Sequence, residues 1–492
     1  MKRASLVGVW ITQGPADWQI VQRRLDNTAD LVLTGTWLAP GDRLGTVEIR
    51  LVDESRQCPA AKHLDWTNAD SNSNRTWRHV IENIPAGGLY RLETRLRLAG
   101  DPWPLAGDQI HHLGVGDLWI IAGDDNAVGF GRGAVDDQPE LGVHLFRLNE
   151  RWTLASHPIH DSTGIRKDRF FSPSSTGHSP WLSFARLIRR GTGIPIGLIP
   201  AANEGSSLDA WHNRKRGGES PALANLLSLV HLASSFSDFA NFSLHDGAIS
   251  KIKKPVQPPG AVAGCVWHQG YADCRYEGMA RNYRMAFREF AARLRTALEA
   301  PRLPLIICQL NRVIGVGKIG ESNLWGVTRE AQRAAGYDID FTAVIPTLDA
   351  GLSDGLHNSS AGNMLVGERA AQAALGLVYG KNLTWRFPDF KSAWFEKGKR
   401  NQIALEFEHV SGELRPVAGE ITSFTVTDTA GGAPIRKIVL TGKKRILIQL
   451  NRELKEKPVI SFCSSHNPAL AFVDDNNCPP LAFANVAIME DE

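Results

Sequence analysis

Short segments that alternate between apolar and polar residues dominate the first 110 positions of the chain. DLVLTGTWLA at 30–39, TVEIRLVD at 46–53 and YRLETRLRL at 90–98 show the period of two that is typical of strands with one buried face. Turn-rich stretches such as APGDRLG at 39–45 separate them. The pattern predicts an N-terminal β domain of the β-sandwich type over residues 1–110.

The pattern changes at about residue 111, where continuous apolar runs begin to alternate with segments of helical period. The predicted strands lie within 113–123, 194–205, 261–270, 302–312 and 341–349. The predicted helices lie within 179–193, 279–300, 328–336 and 360–380. Strands that alternate with helices favour a doubly wound parallel sheet, so residues 111–385 are predicted to form an α/β catalytic domain.

From residue 386 to the end, the chain returns to short β-type segments. QIALEFEHV at 402–410, ITSFTVTD at 421–428 and RILIQLN at 445–451 are examples. We therefore expect a C-terminal β domain over residues 386–492, which gives an α/β centre flanked by two domains of the β-sandwich type.

Composition narrows the function classes. The chain has 492 residues, 43% of them hydrophobic and 22% charged, which is typical of a globular protein of several domains. Its 55 basic and 52 acidic residues leave a formal charge of +3, so nucleic acid is not an expected partner. The six cysteines show no zinc-site spacing, and no cofactor or metal is predicted.

The N-terminal residues lack the long apolar region and the small-residue cleavage site of a signal peptide. No apolar run approaches the ~18 residues of a membrane span. A cytoplasmic location without a membrane partner is therefore expected, or a secreted or periplasmic one if a leader has been removed. The sequence leaves the oligomeric state open.

Candidate chemistry begins where the strand at 113–123 ends. AGDDNAVGFGRG places Asp124 and Asp125 directly after Gly123. Open α/β sheets bind ligands beyond the carboxyl ends of their strands. Two adjacent carboxylates at that position repel each other, so they indicate a functional site.

Four segments in chain order carry a family resemblance: AGDDNA at 122–127, PAANEGSSLDAW at 200–211, VWHQGYADC at 266–274 and LSDGLHNSSAGN at 352–363. They resemble the SGNH hydrolases, specifically the sialate O-acetylesterase-like carbohydrate esterases. The resemblance implies an SGNH, flavodoxin-like fold and a carbohydrate substrate. It also implies that His357 is the catalytic base, that Asp354 orients this base, and that Gly205 belongs to the oxyanion site. Other residues that match family positions are Asn126, Trp267, Gln269 and Gly270.

The departures from the family pattern concern the nucleophile. Asp125 stands where the family has its serine, and Asp124 stands where it has a glutamine. Glu204 replaces a glycine and Tyr271 replaces a glutamate. The chain therefore resembles an esterase that has lost its hydroxyl nucleophile and gained carboxylates around the same histidine.

These carboxylates suggest a glycoside hydrolase on an esterase scaffold. A carboxylate that attacks an anomeric carbon forms a stable ester intermediate, as in retaining glycosidases. Asp125 is then the nucleophile, His357 with Asp354 activates water, and Glu204 or Asp124 is the acid. An inverting mechanism remains open, since the carboxylate separation decides between about 5 Å and roughly 6.5–9.5 Å.

Two other functions remain open. The first is a carbohydrate O-acetylesterase in which His357 activates water directly, and the second is a catalytically inactive glycan-binding protein. Asn126, Gly205, Gln269, Trp267, Tyr271 and Arg132 are the candidate substrate-binding residues. For Trp267 and Tyr271, core packing is the alternative role. Asp124 has an alternative role as a helix N-cap.

A weaker hypothesis is an oxygen-rich calcium or manganese site. Its ligands would be Asp124, Asp125, Glu204, Asp273 and His357.

Overall fold

The structure is a computed structural model, and it describes residues 7–41, 43–54, 65–160, 176–212, 220–238, 262–315, 323–417 and 423–490. Within these ranges, none of the helices combines the length and the apolar character that crossing a bilayer requires.

The N-terminal part consists of strands whose inward side chains form one apolar core. The strands are Gly8–Gly14, Ile20–Gln22, Thr28–Leu38, Gly45–Asp53, Thr67–Asn68, Asp70–Ser71, Thr76–Pro85, Gly87–Leu98 and Leu105–Gly123. Gly8–Gly14 and Thr28–Leu38 pair antiparallel, and Ser237–Asp238 adds to the edge beside Gly8–Gly14. The last strand, Leu105–Gly123, continues without a break from this part into the central sheet.

The central sheet is largely parallel. Its spatial order is Trp152–Leu154, Val143–Phe146, Ile196–Pro200, Leu105–Gly123, Gly264–His268, Leu305–Cys308 and Thr342–Ile345. Every neighbouring pair in this order is parallel except the first, which is antiparallel. Parallel strands end at the same edge, so the loops that follow them meet there.

Helices cover both faces of this sheet, which explains the uninterrupted apolar run at 118–122 within the strand Leu105–Gly123. Leu118 and Ile120 belong to the apolar cluster on one face, whereas Trp119 and Ile121 belong to the cluster on the other. A strand that is buried on both sides has no polar face. The helices are Asp125–Val128, Trp181–Thr192, Leu208–His212, Pro221–Ser234, Glu277–Ala297, Asn323–Asp338 and Ser360–Leu377, with 3₁₀ turns at Asp273–Arg275 and Glu396–Gly398.

The C-terminal part is again built from strands around its own apolar cluster. The strands are Asp389–Phe395, Gln402–Glu408, Arg415–Pro416, Phe424–Asp428, Gly431–Gly432, Ile435–Gly442, Arg445–Leu450, Val459–Phe462, Phe472–Val473 and Phe483–Ala487. They form two four-stranded antiparallel sheets and one two-stranded sheet. The coarse prediction of additional β-rich parts on both sides of a helix-bearing centre is therefore confirmed.

Some predicted elements differ from the observed ones. The helix predicted at 279–300 is Glu277–Ala297, and the helix predicted at 179–193 ends at Thr192, because Gly193 adopts a left-handed φ of 76°. The strand Val143–Phe146 and the helix Pro221–Ser234 were not predicted. A buried strand of four residues has too few positions for a period to be visible.

Candidate active site

Two loops that are distant in sequence bring Asp125 and His357 together. Asp125 follows the strand Leu105–Gly123, and His357 follows the strand Thr342–Ile345 by twelve residues. The Nε2 atom of His357 lies 3.7 Å from Oδ2 of Asp125, which is an ion-pair distance rather than a hydrogen bond. Both side chains are mostly buried, with 14% of Asp125 and 19% of His357 exposed.

The orientation of His357 is fixed from the other side of its ring. Oδ2 of Asp354 lies 2.7 Å from Nδ1, and Oδ1 of Asp354 accepts the backbone N–H groups of Leu356 and His357. The D-x-x-H segment therefore forms a compact turn around one carboxylate. The ring of Phe130 packs against the imidazole at a centroid distance of 4.6 Å. Phe130 lies in the GFG segment after Asp125, and no sequence pattern indicates this contact with His357.

The charges on either side of His357 alter its protonation. Burial lowers the pKa of His357, but the negative charges of Asp125 and Asp354 outweigh it and raise the pKa above its ordinary value. For Asp354, burial raises the pKa, but its hydrogen bonds with His357 outweigh burial, so the pKa of Asp354 is lowered overall. The imidazole is thus held between two carboxylates that favour its protonated form.

Asp125 also accepts a hydrogen bond from a backbone N–H group. Its Oδ1 accepts the N–H of Gly205 at 2.5 Å. Gly205 has a φ of +66°, and no other heavy atom lies within 4 Å of the position that a Cβ would take. Glycine is therefore favoured at this position by backbone conformation and not by space. The N–H that the family resemblance assigns to the oxyanion site is here bonded to Asp125.

Glu204 precedes this glycine and is partly buried. Burial and the charge of Asp125 raise the pKa of Glu204, and the charge of His357 opposes the rise. The carboxyl group of Glu204 is therefore easier to protonate than an ordinary one.

Asp124 faces away from this cleft. It is 4% exposed, and its Oδ2 accepts the backbone N–H groups of Gly270 at 3.1 Å and Tyr271 at 3.3 Å. Burial and the neighbouring charge of Asp125 raise its pKa well above the ordinary value. Although Asp124 precedes the helix Asp125–Val128, its side chain makes no capping hydrogen bond there. Its contacts connect two strand ends.

Asn126 connects the loop that contains Asp125 with the loop that contains His357. Its Oδ1 accepts the backbone N–H of Asn358 at 2.9 Å, and the side chain of Asn358 is in turn hydrogen-bonded by Asn311. Asn126 is 9% exposed, so this contact is shielded from water. It holds the chain next to His357 against the chain next to Asp125.

Gln269 and Asp273 form hydrogen bonds with the residues that follow Gly205 and so support the loop that contains it. The side-chain amide of Gln269 donates to the carbonyl of Ser206 at 2.9 Å and to Oδ2 of Asp273 at 2.5 Å. Both carboxylate oxygens of Asp273 accept the N–H of Leu208. Burial is the main cause that raises the pKa of Asp273 to about 6. Gln269 is 1% exposed, so its place is in the support of the site rather than on its surface.

The remaining candidates lie in different environments. Trp267 is 1% exposed and donates from Nε1 to the hydroxyl of Tyr283, so it belongs to the core. Tyr271 is partly exposed and its ring packs against Trp325. Arg132 is exposed, and its carbonyl accepts the N–H of Ser360.

The structure does not form the oxygen-rich metal site considered from the sequence. Asp124 and Asp273 bind backbone amides, as described above, and so their oxygens are not directed at a shared point with Asp125. Among the residues the structure describes, the one group of three or more converging ligand side chains is Asp137, His157 and His178.

Comparison with known proteins identifies the family. The model of the family described as "Carbohydrate esterase, sialic acid-specific acetylesterase" matches residues 115–376, more than half of the chain. The chain therefore belongs to this family of carbohydrate esterases, as the sequence resemblance implied. No curated protein sequence matches the chain.

The solved structures that are similar to this chain include the following two. The first is the carbohydrate acetylesterase XAC1771 from Xanthomonas citri, with 19% identity, a TM-score of 0.61, and coverage of 96% of this chain and 99% of that one. The second is a protein from Arabidopsis thaliana, with 21% identity, a TM-score of 0.41, and coverage of 53% of this chain and 98% of that one.

Family membership overturns the glycosidase prediction. The matched family is one of esterases, and the glycosidase hypothesis, with Asp125 as the nucleophile and Glu204 or Asp124 as the acid, is wrong. The geometry supplies a physical reason. One oxygen of Asp125 is bonded to Gly205 and the other faces His357, whereas Asp124 is buried against backbone amides. The sequence places these carboxylates at one strand end, but it does not show which partners each of them binds.

Proposed function

We propose that the protein hydrolyses O-acetyl esters of carbohydrates, with His357 as the general base and with Asp125 in place of the serine of its family. The observation that supports this most directly is the imidazole itself. Its Nδ1 is held by Asp354 at 2.7 Å, and its Nε2 faces Asp125 at the end of the central strand. This is the arrangement of a base that is oriented by a carboxylate.

In this mechanism water takes the part of the serine hydroxyl. A water molecule within hydrogen-bond reach of His357 attacks the acetyl carbonyl carbon, and its proton passes to Nε2. The tetrahedral intermediate then collapses, the bond between the carbonyl carbon and the sugar oxygen breaks, and Nε2 returns the proton to that oxygen. The products are acetic acid and the free sugar hydroxyl. Asp354 stabilises the imidazolium that forms between the two steps.

Asp125 acts on this reaction through charge and position rather than by attack. A carboxylate that attacks an acyl carbon gives an anhydride, which has no advantage over direct attack by water. Its Oδ2 faces Nε2 and stabilises the protonated imidazole, and it accepts a hydrogen bond from the attacking water. Its Oδ1 remains on the N–H of Gly205.

Substrate recognition is assigned to the exposed rim of the site. Glu204, with its raised pKa, donates a hydrogen bond to the sugar or to the developing oxyanion when protonated. Tyr271 and Arg132 are partly or fully exposed and contact the sugar. Asn126, Gln269 and Trp267 lie beneath this rim and hold the loops of the site in position. Asp124 does the same at the end of the strand Leu105–Gly123.

The finer description of the fold is part of the same proposal. The parallel order of the central sheet, with helices on both faces, supports a doubly wound sheet of the SGNH type. Separate apolar clusters support a division into residues 1–110, 111–385 and 386–492. The strand Leu105–Gly123 crosses the first of these boundaries, so the N-terminal part and the centre share one strand.

The test is acetate release from acetylated oligosaccharides and from aryl acetates, compared with aryl glycosides. We expect turnover of the acetyl esters alone, and loss of at least about 100-fold in kcat for His357→Gln. His112→Gln, in the N-terminal part of the chain, is the matched control and should keep full activity. Binding of the glycans without acetate release would overturn the proposal and support a non-catalytic binding protein.

A further inference from the structure

Three side chains outside the catalytic cleft converge on one point. Asp137 lies in the segment after the helix Asp125–Val128, His157 follows the strand Trp152–Leu154, and His178 precedes the helix Trp181–Thr192. One ligand atom from each lies within 4.8 Å of the other two. Asp137 and His178 are each 8% exposed, and all three residues line an open cavity.

Asp137 presents a single oxygen to both imidazoles. Its Oδ2 lies 2.9 Å from Nε2 of His157 and 3.2 Å from Nε2 of His178. Its other oxygen, Oδ1, accepts from Nη1 of Arg186 at 2.7 Å. The arginine therefore fixes the carboxylate so that only Oδ2 faces the histidines, which is how a supporting residue orients a monodentate metal ligand.

The positive charge of Arg186 would disfavour a cation unless it were compensated. Glu140 offsets part of this charge, because its Oε2 lies 3.5 Å from Nε of Arg186. Glu140 also pairs with Arg189 and Arg190. The guanidinium is thus part of a paired network and does not face the three ligand atoms alone.

The two spacings from Oδ2 of Asp137 are close to those of a tetrahedral zinc site. Ligand atoms that are each about 2.1 Å from zinc, at tetrahedral angles, lie about 3.4 Å apart. The two distances from Oδ2 need to open by only a few tenths of an ångström. Two imidazoles and one carboxylate are a known zinc ligand set, and the open side of the cavity leaves the fourth position to water.

We propose that Asp137, His157 and His178 bind a divalent transition metal, with zinc as the ion that fits best. Binding through Nε2 of His157 places its proton on Nδ1. The N–H of Ser179, which now lies 3.4 Å from that nitrogen, must then turn to another acceptor. This bond is long, so it offers weak opposition to the metal.

The bound ion would stabilise a segment that supports the catalytic base. Gly131 and His178 exchange backbone hydrogen bonds in both directions, and the N–H of Gly177 donates to Gly129. Phe130 lies within this paired segment, and its ring packs against His357. Fixing His178 to Asp137 therefore restrains the backbone that holds the ring of Phe130.

The test uses the full chain after treatment with a chelator. We expect equilibrium dialysis against zinc chloride to show one tightly bound ion per chain, and thermal unfolding to shift upward by several degrees with zinc. Cobalt(II) should give the absorption bands of a four-coordinate site with nitrogen and oxygen ligands. His157→Gln and His178→Gln should each weaken zinc binding by more than about tenfold.

The matched control is the double variant His111→Gln and His112→Gln, which removes two partly exposed histidines that flank one carboxylate, Glu54. It should bind zinc as the unmodified chain does. Absence of a tight zinc equivalent in the unmodified protein would overturn the proposal, whatever the folding of the variants. So would equal affinity in folded His157→Gln, and the cluster would then be a hydrogen-bond network alone.

Discussion

Replacing Asp125 with serine tests the reasoning about the active site most directly. The substitution restores the residue that the family has at this position, and it removes the carboxylate oxygen that accepts the N–H of Gly205 at 2.5 Å. It also leaves His357 without the negative charge that lies 3.7 Å from Nε2. The serine hydroxyl is then the nucleophile, and the Gly205 N–H is available to the oxyanion.

The magnitude follows from the freed donor. One oxyanion donor contributes roughly 10²–10³ in kcat, about 2.7–4 kcal/mol of transition-state stabilisation. We therefore expect Asp125→Ser to raise kcat for aryl acetates by about that factor over the unmodified protein. The pKa of His357 should fall, because one of its two neighbouring carboxylates is gone.

The assay is release of p-nitrophenol from p-nitrophenyl acetate, followed from the first turnover. Asp125→Ser should give an initial burst of about one equivalent per active site, because an acetyl-serine intermediate accumulates. Asp125→Asn is the matched control, since its amide oxygen still accepts the Gly205 N–H but offers no nucleophile. It should give neither the burst nor the gain.

Addition of His357→Gln to Asp125→Ser should remove the gain, because the hydroxyl then has no base. A folded Asp125→Ser variant that shows no burst and no increase would refute the assignment of position 125 to the attacking site. Persistence of the gain without His357 would refute the assignment of the base.

Three further predictions concern the surroundings of the site. In a pH–rate profile, the activity of the unmodified protein should rise with pH, with a midpoint above the ordinary pKa of histidine, because a general base must be neutral and the pKa of His357 is raised. Asp354→Asn should move this midpoint to lower pH, because it removes one of the carboxylates that raise the pKa; an unchanged midpoint would contradict this. Trp267→Ala should cost about 3–5 kcal/mol in urea unfolding, since the ring is buried, while Trp267→Phe should leave KM unchanged; a KM effect with Phe would indicate sugar contact instead. Gly123→Ala should destabilise the fold by more than about 1–3 kcal/mol, because φ is +136° and the new Cβ would lie 2.1 Å from the carbonyl oxygen of His268; unchanged thermal unfolding would contradict this.

Short segments of the sequence predict much of the architecture. The uninterrupted apolar run at 118–122 identifies a strand buried on both faces, and the period of 279–300 identifies a helix against the sheet. These patterns depend only on which residues can be buried at each position, so they can be recognised without knowledge of the rest of the chain. The same holds for the motifs that revealed the family, since each is a short segment at a strand end.

What the tertiary structure alone decided is how the polar groups are used. Asp124 and Asp125 are adjacent and chemically identical, yet one is buried against the amides of Gly270 and Tyr271 and the other faces His357. Successive residues after a strand point in different directions, and the partners come from loops that are 80 or more positions away. A carboxylate's pKa and role depend on those partners, and no local pattern contains them.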